Sequence, residues 1–159
     1  MCKQKKLELN GKIYNFLFMD FSFGYSEDRM KQFFEKTKGI MFVYDITDEN
    51  TFSHISDLFN IFGSSDLKYV PKILVGNKCD LEEDRKVQIE EGEDLARDKR
   101  MKFIETSAKD STNIKTAFNI MLEDVKEYMK NNPEKPKIDN VEKLEFNNPT
   151  KDEIKLKEE

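Results

Sequence analysis

The hydrophobic residues near the start of the chain alternate with the spacing of β-strands. Residues 6–9 and 12–20 flank Asn10-Gly11, the dipeptide that most strongly favours a tight two-residue turn. In the second segment, apolar side chains fall on both faces: Tyr14, Phe16 and Phe18 on one, and Ile13, Leu17 and Met19 on the other. The pattern predicts a β-hairpin whose second strand is covered on both faces.

Short apolar runs alternate with helical patterns through the rest of the chain. Strands are predicted at residues 39–46, 73–75 and 103–104. Helices are predicted at residues 27–36, from Asp48 to Gly63-Ser64-Ser65, at residues 89–100, and from Ile114 to Asn132-Pro133. Strands that alternate with helices predict an α/β fold.

Composition narrows the class of protein. At 159 residues the chain has the length of one domain, and its 37% charged and 11% aromatic residues suit a core beneath a highly charged surface. The formal net charge of −5 argues against nucleic-acid binding. Two cysteines, Cys2 and Cys79, are too few for a disulfide framework, which favours the cytoplasm. No apolar run reaches the length of a membrane span.

Polar residues follow two of the predicted strands at the point where each strand ends. Asn77, Lys78 and Asp80 follow one strand, and Ser107-Ala108-Lys109 follows the next. Open α/β sheets bind ligands at the carboxyl ends of their strands. Taken alone, residues 77–80 could be no more than a polar turn, since a motif of four residues often occurs by chance. Two such loops, each after its own strand, favour a binding site. The charged residues 82–86, which follow the first loop, are expected to form a turn exposed to solvent.

The two loops resemble the guanine-recognition loops of the Ras superfamily of small GTPases, whose patterns are Asn-Lys-x-Asp and Ser-Ala-Lys. The resemblance spans residues 5–130 and is closest to Rab proteins. It implies a Rossmann-like P-loop NTPase sheet with flanking helices. The guanine-binding residues that it implies are Asn77, Lys78, Asp80, Ser107, Ala108 and Lys109. Residues 131–159 are polar, contain prolines and carry both signs of charge, a composition that predicts a disordered tail.

The resemblance gives the loop residues distinct roles toward guanine. The Asp80 carboxylate accepts two adjacent N–H groups of the base, a donor pair that adenine lacks. Asn77 either bonds the other edge of the base or ties the two loops together. The aliphatic stems of Lys78 and Lys109 cover the ring faces. The backbone N–H of Ala108 meets the carbonyl oxygen of guanine.

The segment after the second predicted strand departs from the family pattern. In the family this strand runs into Asp-x-x-Gly, whose aspartate helps to hold Mg2+, and a following glutamine orients the attacking water. Here Asp20 keeps its place, but Phe23 stands at the expected glycine and Tyr25 follows Gly24. Tyrosine lacks the paired donor and acceptor of an amide. We therefore expect a vestigial Mg2+ site at Asp20 and no catalytic residue.

No stretch of the sequence matches the phosphate loop of the family, Gly-x-x-x-x-Gly-Lys-Ser/Thr. The first predicted strand resembles the second strand of the family, so we expect an N-terminally incomplete domain. In that fold the missing strand lies between the strands at residues 12–20 and 39–46, and both would lack a neighbour. Three solutions stay open: the two strands pair directly, another chain supplies a strand, or the sequence is a fragment.

The resemblance implies a Rab/Ras-like protein that switches with GTP and GDP in vesicle traffic or signalling and binds effector or regulator proteins. We expect weak or lost nucleotide binding, no GTP hydrolysis, and self-association through unpaired strands. A chain that ends without a cysteine is expected to lack the usual lipid anchor, so only partners would bring it to endomembranes. The alternatives are a non-catalytic pseudo-GTPase that serves as a protein-interaction module, and a relic without a stable fold.

Overall fold

A computed structural model of the chain describes residues 2–9, 12–19, 37–63 and 69–132. These residues fall into two compact units, one with the two N-terminal strands and one with the rest. The predicted helix at residues 27–36 and the segment from Asp20 to Tyr25 lie outside the described residues. Of the tail predicted at residues 131–159, Asn131 ends a helix, and residues 133–159 lie outside the described residues. Those predictions therefore stay predictions.

The first unit is an antiparallel pair of strands. β1 (Cys2–Leu9) pairs with β2 (Lys12–Met19) along its whole length, from Leu9 opposite Lys12 to Cys2 opposite Met19. The predicted pairing is confirmed, and the first strand begins four residues earlier than predicted, because every residue from Cys2 onward has a partner in β2.

The second unit is built on a parallel sheet. β3 (Ile40–Asp45), β4 (Lys72–Asn77) and β5 (Lys102–Thr106) lie in the order β3-β4-β5. The register places Asp45 beside Asn77 and Asn77 beside Thr106. The strands therefore end side by side, and the loops that follow them leave the same edge of the sheet.

Within the described residues, three α-helices follow the strands of this sheet. α1 (Glu49–Gly63) follows β3, α2 (Ile89–Asp98) follows β4 and a short 3-10 helix (Glu82–Asp84), and α3 (Ile114–Asn131) follows β5. The predicted cap of α1 is confirmed, since the Asp48 carboxylate accepts a hydrogen bond from the Asn50 N–H at 3.0 Å. The end of α2 comes two residues before the predicted one, in a turn with Arg100 at φ 55°.

Both faces of the central strand β4 are buried. On one face Leu74 belongs to a cluster to which α1 and α2 contribute; its members are Phe42, Tyr44, Ile46, Ile55, Val70, Leu74, Val87, Ala96 and Met101. Ile73 and Val75, which alternate with Leu74, are buried as well. α3 contacts β4 and β5, and its buried residues are Ala117, Met121 and Val125. This arrangement confirms the predicted α/β sheet with flanking helices.

Tyr44 packs between two glycines. Its hydroxyl oxygen lies 2.9 Å from the place that a Cβ would take at Gly76, and 2.6 Å from the corresponding place at Gly92. Gly92 costs α2 about 1 kcal/mol relative to alanine, and this close packing explains why a glycine stands there. The Tyr44 hydroxyl is buried and has no hydrogen-bond partner within the described part of the chain. Burial raises the pKa of this phenol well above its ordinary value.

Candidate functional site

The loops that follow β4 and β5 are held together by backbone and side-chain hydrogen bonds. The Cys79 N–H donates to the Thr106 carbonyl oxygen at 3.0 Å, which joins the first loop to the end of the neighbouring strand. The Leu81 N–H donates to the Lys78 carbonyl oxygen at 2.9 Å and closes a tight turn. Lys78 adopts φ 68°, a left-handed conformation that costs a non-glycine residue roughly 1 kcal/mol. The sharp turn therefore includes a strained residue at the candidate site.

Asn77 links the two loops directly. Its Oδ1 accepts hydrogen bonds from the Thr106 hydroxyl and from the Ala108 backbone N–H, both at 3.2 Å. Two roles were predicted for Asn77, and in the structure it ties the two loops together. The Ala108 N–H, predicted to meet a guanine oxygen, here donates to Asn77. A ligand oxygen at this place would share that N–H with the amide of Asn77.

The Asp80 carboxylate is supported from the second loop. Its Oδ1 accepts a hydrogen bond from the Ser107 hydroxyl at 2.6 Å, and its Oδ2 lies 3.4 Å from the Lys109 ammonium. Ser107 is fully buried, while 12% of the Asp80 side chain is exposed. The hydrogen bond from Ser107, helped by Lys109, holds the pKa of Asp80 below its ordinary value. The carboxylate is therefore ionised at neutral pH and acts as an acceptor only.

Five of the six predicted residues line one cleft of about 330 Å³. The residues that line it are Asn77, Lys78, Asp80, Leu81, Ala108 and Lys109. Ser107 is absent from the lining because its side chain is buried, from where it supports Asp80. Leu81 was not among the predicted site residues and adds an apolar contact surface.

An ion pair beside the two loops was missed in the sequence. Arg85 donates to both carboxylate oxygens of Glu105, at 2.7 and 2.8 Å, and to both of Glu82, at 2.9 and 2.6 Å. Only 6% of the Arg85 side chain and 15% of the Glu105 side chain are exposed. The prediction that residues 82–86 form a solvated turn was therefore wrong for Arg85. Hydrogen bonds to Glu105 and then Glu82 raise the pKa of this guanidinium. A charged Glu105 inside an apolar strand was the signal available in the sequence.

A second missed residue, Asp45, reaches the site from β3. Its Oδ2 lies 2.5 Å from the ammonium nitrogen of Lys78. This residue ends the strand next to Asn77, so a third strand contributes to the surroundings of the cleft. Asp45 could not be recognised as a site residue from the sequence, because nothing local indicates which lysine it pairs with.

The described residues include neither a metal-binding cluster nor a membrane-spanning helix. Asp20, the predicted Mg2+ ligand, lies outside them. The described residues contain no group of three or more His, Cys, Asp or Glu side chains placed to hold a metal ion. None of the helices in the described part combines the length and apolar character of a membrane span.

The parallel sheet, its flanking helices and the paired loops at its carboxyl edge define the class: this is the small-GTPase type of P-loop NTPase fold. A comparison with protein families agrees with the geometry. The sequence model of the Ras family matches residues 3–127, and the chain belongs to that family.

The chain also resembles curated Rab proteins. It is 43% identical over 93 residues to the Ras-related protein Rab-13 of Rattus norvegicus, which covers 58% of this chain and 46% of that protein. It is 41% identical over 101 residues to the Ras-related protein RIC1 of Oryza sativa subsp. japonica, and this match covers 64% of this chain and 50% of that protein. It is 35% identical over 127 residues to the Ras-related protein Rab-8B of Pongo abelii, and this match covers 77% of this chain and 60% of that protein. The chain spans about half the length of the curated relatives it matches.

Proposed function

We propose that the cleft between the two loops binds the guanine base of GTP or GDP, in a protein that acts as a Rab-like nucleotide switch. The observation that carries this proposal is the ionised Asp80 carboxylate at the cleft, held by Ser107 beside the Asn77–Ala108 link. Guanine offers two adjacent N–H donors that one carboxylate accepts together. Adenine offers no such pair and would leave the carboxylate without these partners.

The other lining residues suit a flat base. The aliphatic stems of Lys78 and Lys109 provide apolar surface for the ring faces, and Leu81 adds to it. The Ala108 N–H can be shared between the Asn77 oxygen and the carbonyl oxygen of guanine, because a methyl side chain lets the base approach. These contacts recognise the base, and none of them involves the phosphates.

We propose weak binding of GTP and GDP by these 159 residues, because no phosphate loop occurs in the sequence. Two or three hydrogen bonds must offset an association cost of roughly 4–15 kcal/mol. Guanosine, GDP and GTP should therefore bind with similar affinity. Asp20 remains a proposed, vestigial Mg2+ ligand.

A comparison of guanosine with inosine tests the base site. Inosine lacks the 2-amino group and so one of the two donors for Asp80. We expect guanosine to bind about tenfold more tightly than inosine, since one hydrogen bond to a charged group is worth roughly 1.5 kcal/mol. The Asp80→Asn variant should bring the ratio close to one. Titrations followed by the amide NMR signals of Ser107 and Ala108 would measure both affinities.

Asp110→Asn is the matched control for this experiment. Asp110 lies in the same loop as Ser107, but its carboxylate accepts a hydrogen bond from the Thr112 N–H at 3.0 Å and does not line the cleft. This variant should keep the guanosine preference. Equal affinity for the two nucleosides in the unaltered chain, or an equal loss in both variants, would contradict the proposal.

The second candidate function is a non-catalytic module that binds effector or regulator proteins. Phe23 and Tyr25, where the family has glycine and glutamine, favour it. Under either proposal the chain works in the cytoplasm, and the role in vesicle traffic or signalling belongs to the switch. Phosphate release measured in a single turnover tests the expectation, common to both candidates, that the chain does not hydrolyse GTP. Release above a buffer blank that stops when Mg2+ is chelated would contradict that expectation, whereas a preference for guanosine over inosine separates the switch from the module.

A further inference from the structure

The ammonium group of Lys78 is tied to a neighbouring strand. Its nitrogen lies 2.5 Å from Asp45 Oδ2, while 49% of the Lys78 side chain and 18% of the Asp45 side chain are exposed. Lys78 also lines the cleft. Since its backbone is fixed in the turn at φ 68°, both ends of this side chain are held.

Asp45 is in turn fixed by its own hydrogen bonds. Its Oδ1 accepts from the Thr47 N–H at 2.9 Å and from the Thr47 hydroxyl at 2.7 Å, which leaves Oδ2 for Lys78. The Asp45 backbone N–H donates to the Thr51 hydroxyl at 2.9 Å. Burial opposes ionisation of Asp45, but the bonds from Lys78 and Thr47 outweigh it and lower the pKa of this carboxyl. Asp45 is therefore a charged and well-positioned anchor.

We propose that Asp45 is a positioning residue that stretches Lys78 along the wall of the base cleft, so that Lys78 gives the ligand its aliphatic stem and not its charge. The inference rests on the proposed guanine site, and it adds a residue from a third strand to that site. A lysine held at both ends gains contact with a ring without losing further side-chain freedom when the ligand binds. Its charge is already balanced by Asp45, so it has little left to offer a phosphate.

Two substitutions of Lys78 separate the stem from the charge. Lys78→Met keeps most of the stem and removes the ammonium, whereas Lys78→Ala removes both. We expect Lys78→Met to bind guanosine within about twofold of the unaltered chain, and Lys78→Ala to bind roughly tenfold more weakly, the effect of losing about two methylenes of apolar contact. Equal weakening by the two substitutions would overturn the inference.

Asp45→Asn tests the anchor itself. With the ammonium released, the stem must be ordered by the ligand, and guanosine should bind about threefold more weakly. The same substitution in the Lys78→Met background should have no effect, because no ammonium remains to be positioned. An equal loss in both backgrounds would mean that Asp45 acts through general stability, which would also overturn the inference.

The titration of the Lys78 ammonium provides a readout that needs no ligand. The hydrogen bond to Asp45 raises the pKa of Lys78 above its ordinary value, so Asp45→Asn should lower it. Asp48→Asn is the control for charge: the Asp48 carboxylate accepts hydrogen bonds from Asn50, and its loss should shift the pKa of Lys78 much less. Absence of guanosine binding to the unaltered chain would refute the proposed function. An unchanged Lys78 pKa in Asp45→Asn would refute this inference.

Discussion

At the scale of single residues, the ring and the hydroxyl group of Tyr44 have opposite effects on stability. The ring is 2% exposed and packs edge-on against Phe52, with 4.9 Å between the ring centroids. The hydroxyl is buried without a hydrogen-bond partner among the described residues. A buried polar group without a partner costs about 1–3 kcal/mol. The residue therefore stabilises the core through its shape alone.

The Tyr44→Phe variant tests this balance. Removing an unpaired hydroxyl removes its desolvation cost, so we expect the free energy of unfolding to stay constant or to rise by up to about 1 kcal/mol. Urea denaturation measures the change. Tyr69→Phe, at a side chain that is 75% exposed, is the control and should change stability by less than about 0.5 kcal/mol. A loss of 1 kcal/mol or more in Tyr44→Phe would mean that the hydroxyl has a partner.

Single residues also differ in how far their roles could be predicted. The six residues predicted for a guanine site lie in two short motifs, so the sequence alone groups them, and the cleft brings together all but Ser107. The position of Ser107 beneath Asp80 could not be predicted, because motif spacing does not tell which side chain of a loop faces inward. The pairing of Lys78 with Asp45 could not be predicted either, because it depends on the register of two strands that are distant in sequence.

At the scale of elements, Arg85 joins the loop after β4 to the strand β5. It contacts Glu105 on that strand, and it also donates to the Val87 carbonyl oxygen at 3.0 Å. Removing one partner of a buried ion pair leaves the other charge without compensation. The pair therefore makes the arrangement of the two loops depend on one side chain.

Arg85→Met should lower the free energy of unfolding by roughly 3 kcal/mol, the usual cost of breaking a buried pair. Arg97→Met is the matched control, because Arg97 pairs with Asp94 on the exposed surface of α2, where 75% of its side chain is accessible. That control should cost less than about 1 kcal/mol. Urea denaturation of the two variants gives the comparison, and similar losses in both would contradict the structural role of Arg85.

The elements themselves were predictable where the pattern is strong. The apolar runs located β3, β4 and β5, and capping residues located α1, because these signals are local. Contacts that join elements were not predictable in the same way. Glu82 and Arg85 are three residues apart in a charged segment, which predicts a surface pair. The second ion pair of Arg85, with Glu105 on β5, depends on how the loop packs against a distant strand.

At the scale of the whole molecule, β3 has one hydrogen-bonded neighbour among the described strands, and Val43 at its centre is 54% exposed. An apolar strand with an unpaired side is a template for another strand. We therefore expect the purified chain to self-associate, unless β2 and β3 pair directly. Size-exclusion chromatography with light scattering would measure the mass at several concentrations.

A peptide with the sequence of the first strand of the family provides the second arm of that experiment. If it occupies the side of β3, it should raise the melting temperature and shift the chain toward the monomer, as strand complementation does. A scrambled peptide of the same composition is the control. A stable monomer whose melting temperature ignores the peptide, with β2 and β3 unpaired, would contradict the prediction.

The aligned ends of β3, β4 and β5 make the cleft sensitive to a kind of genetic change that substitutions do not probe. Asp45, Asn77 and Thr106 are neighbours only because the three strands share one register. Deleting a single residue from β4 would turn every following side chain in that strand to the opposite face. Asn77 would then lose Thr106 and Ala108 although none of these residues had changed. Insertions and deletions in the strands should therefore be far rarer among functional variants than substitutions at the same positions.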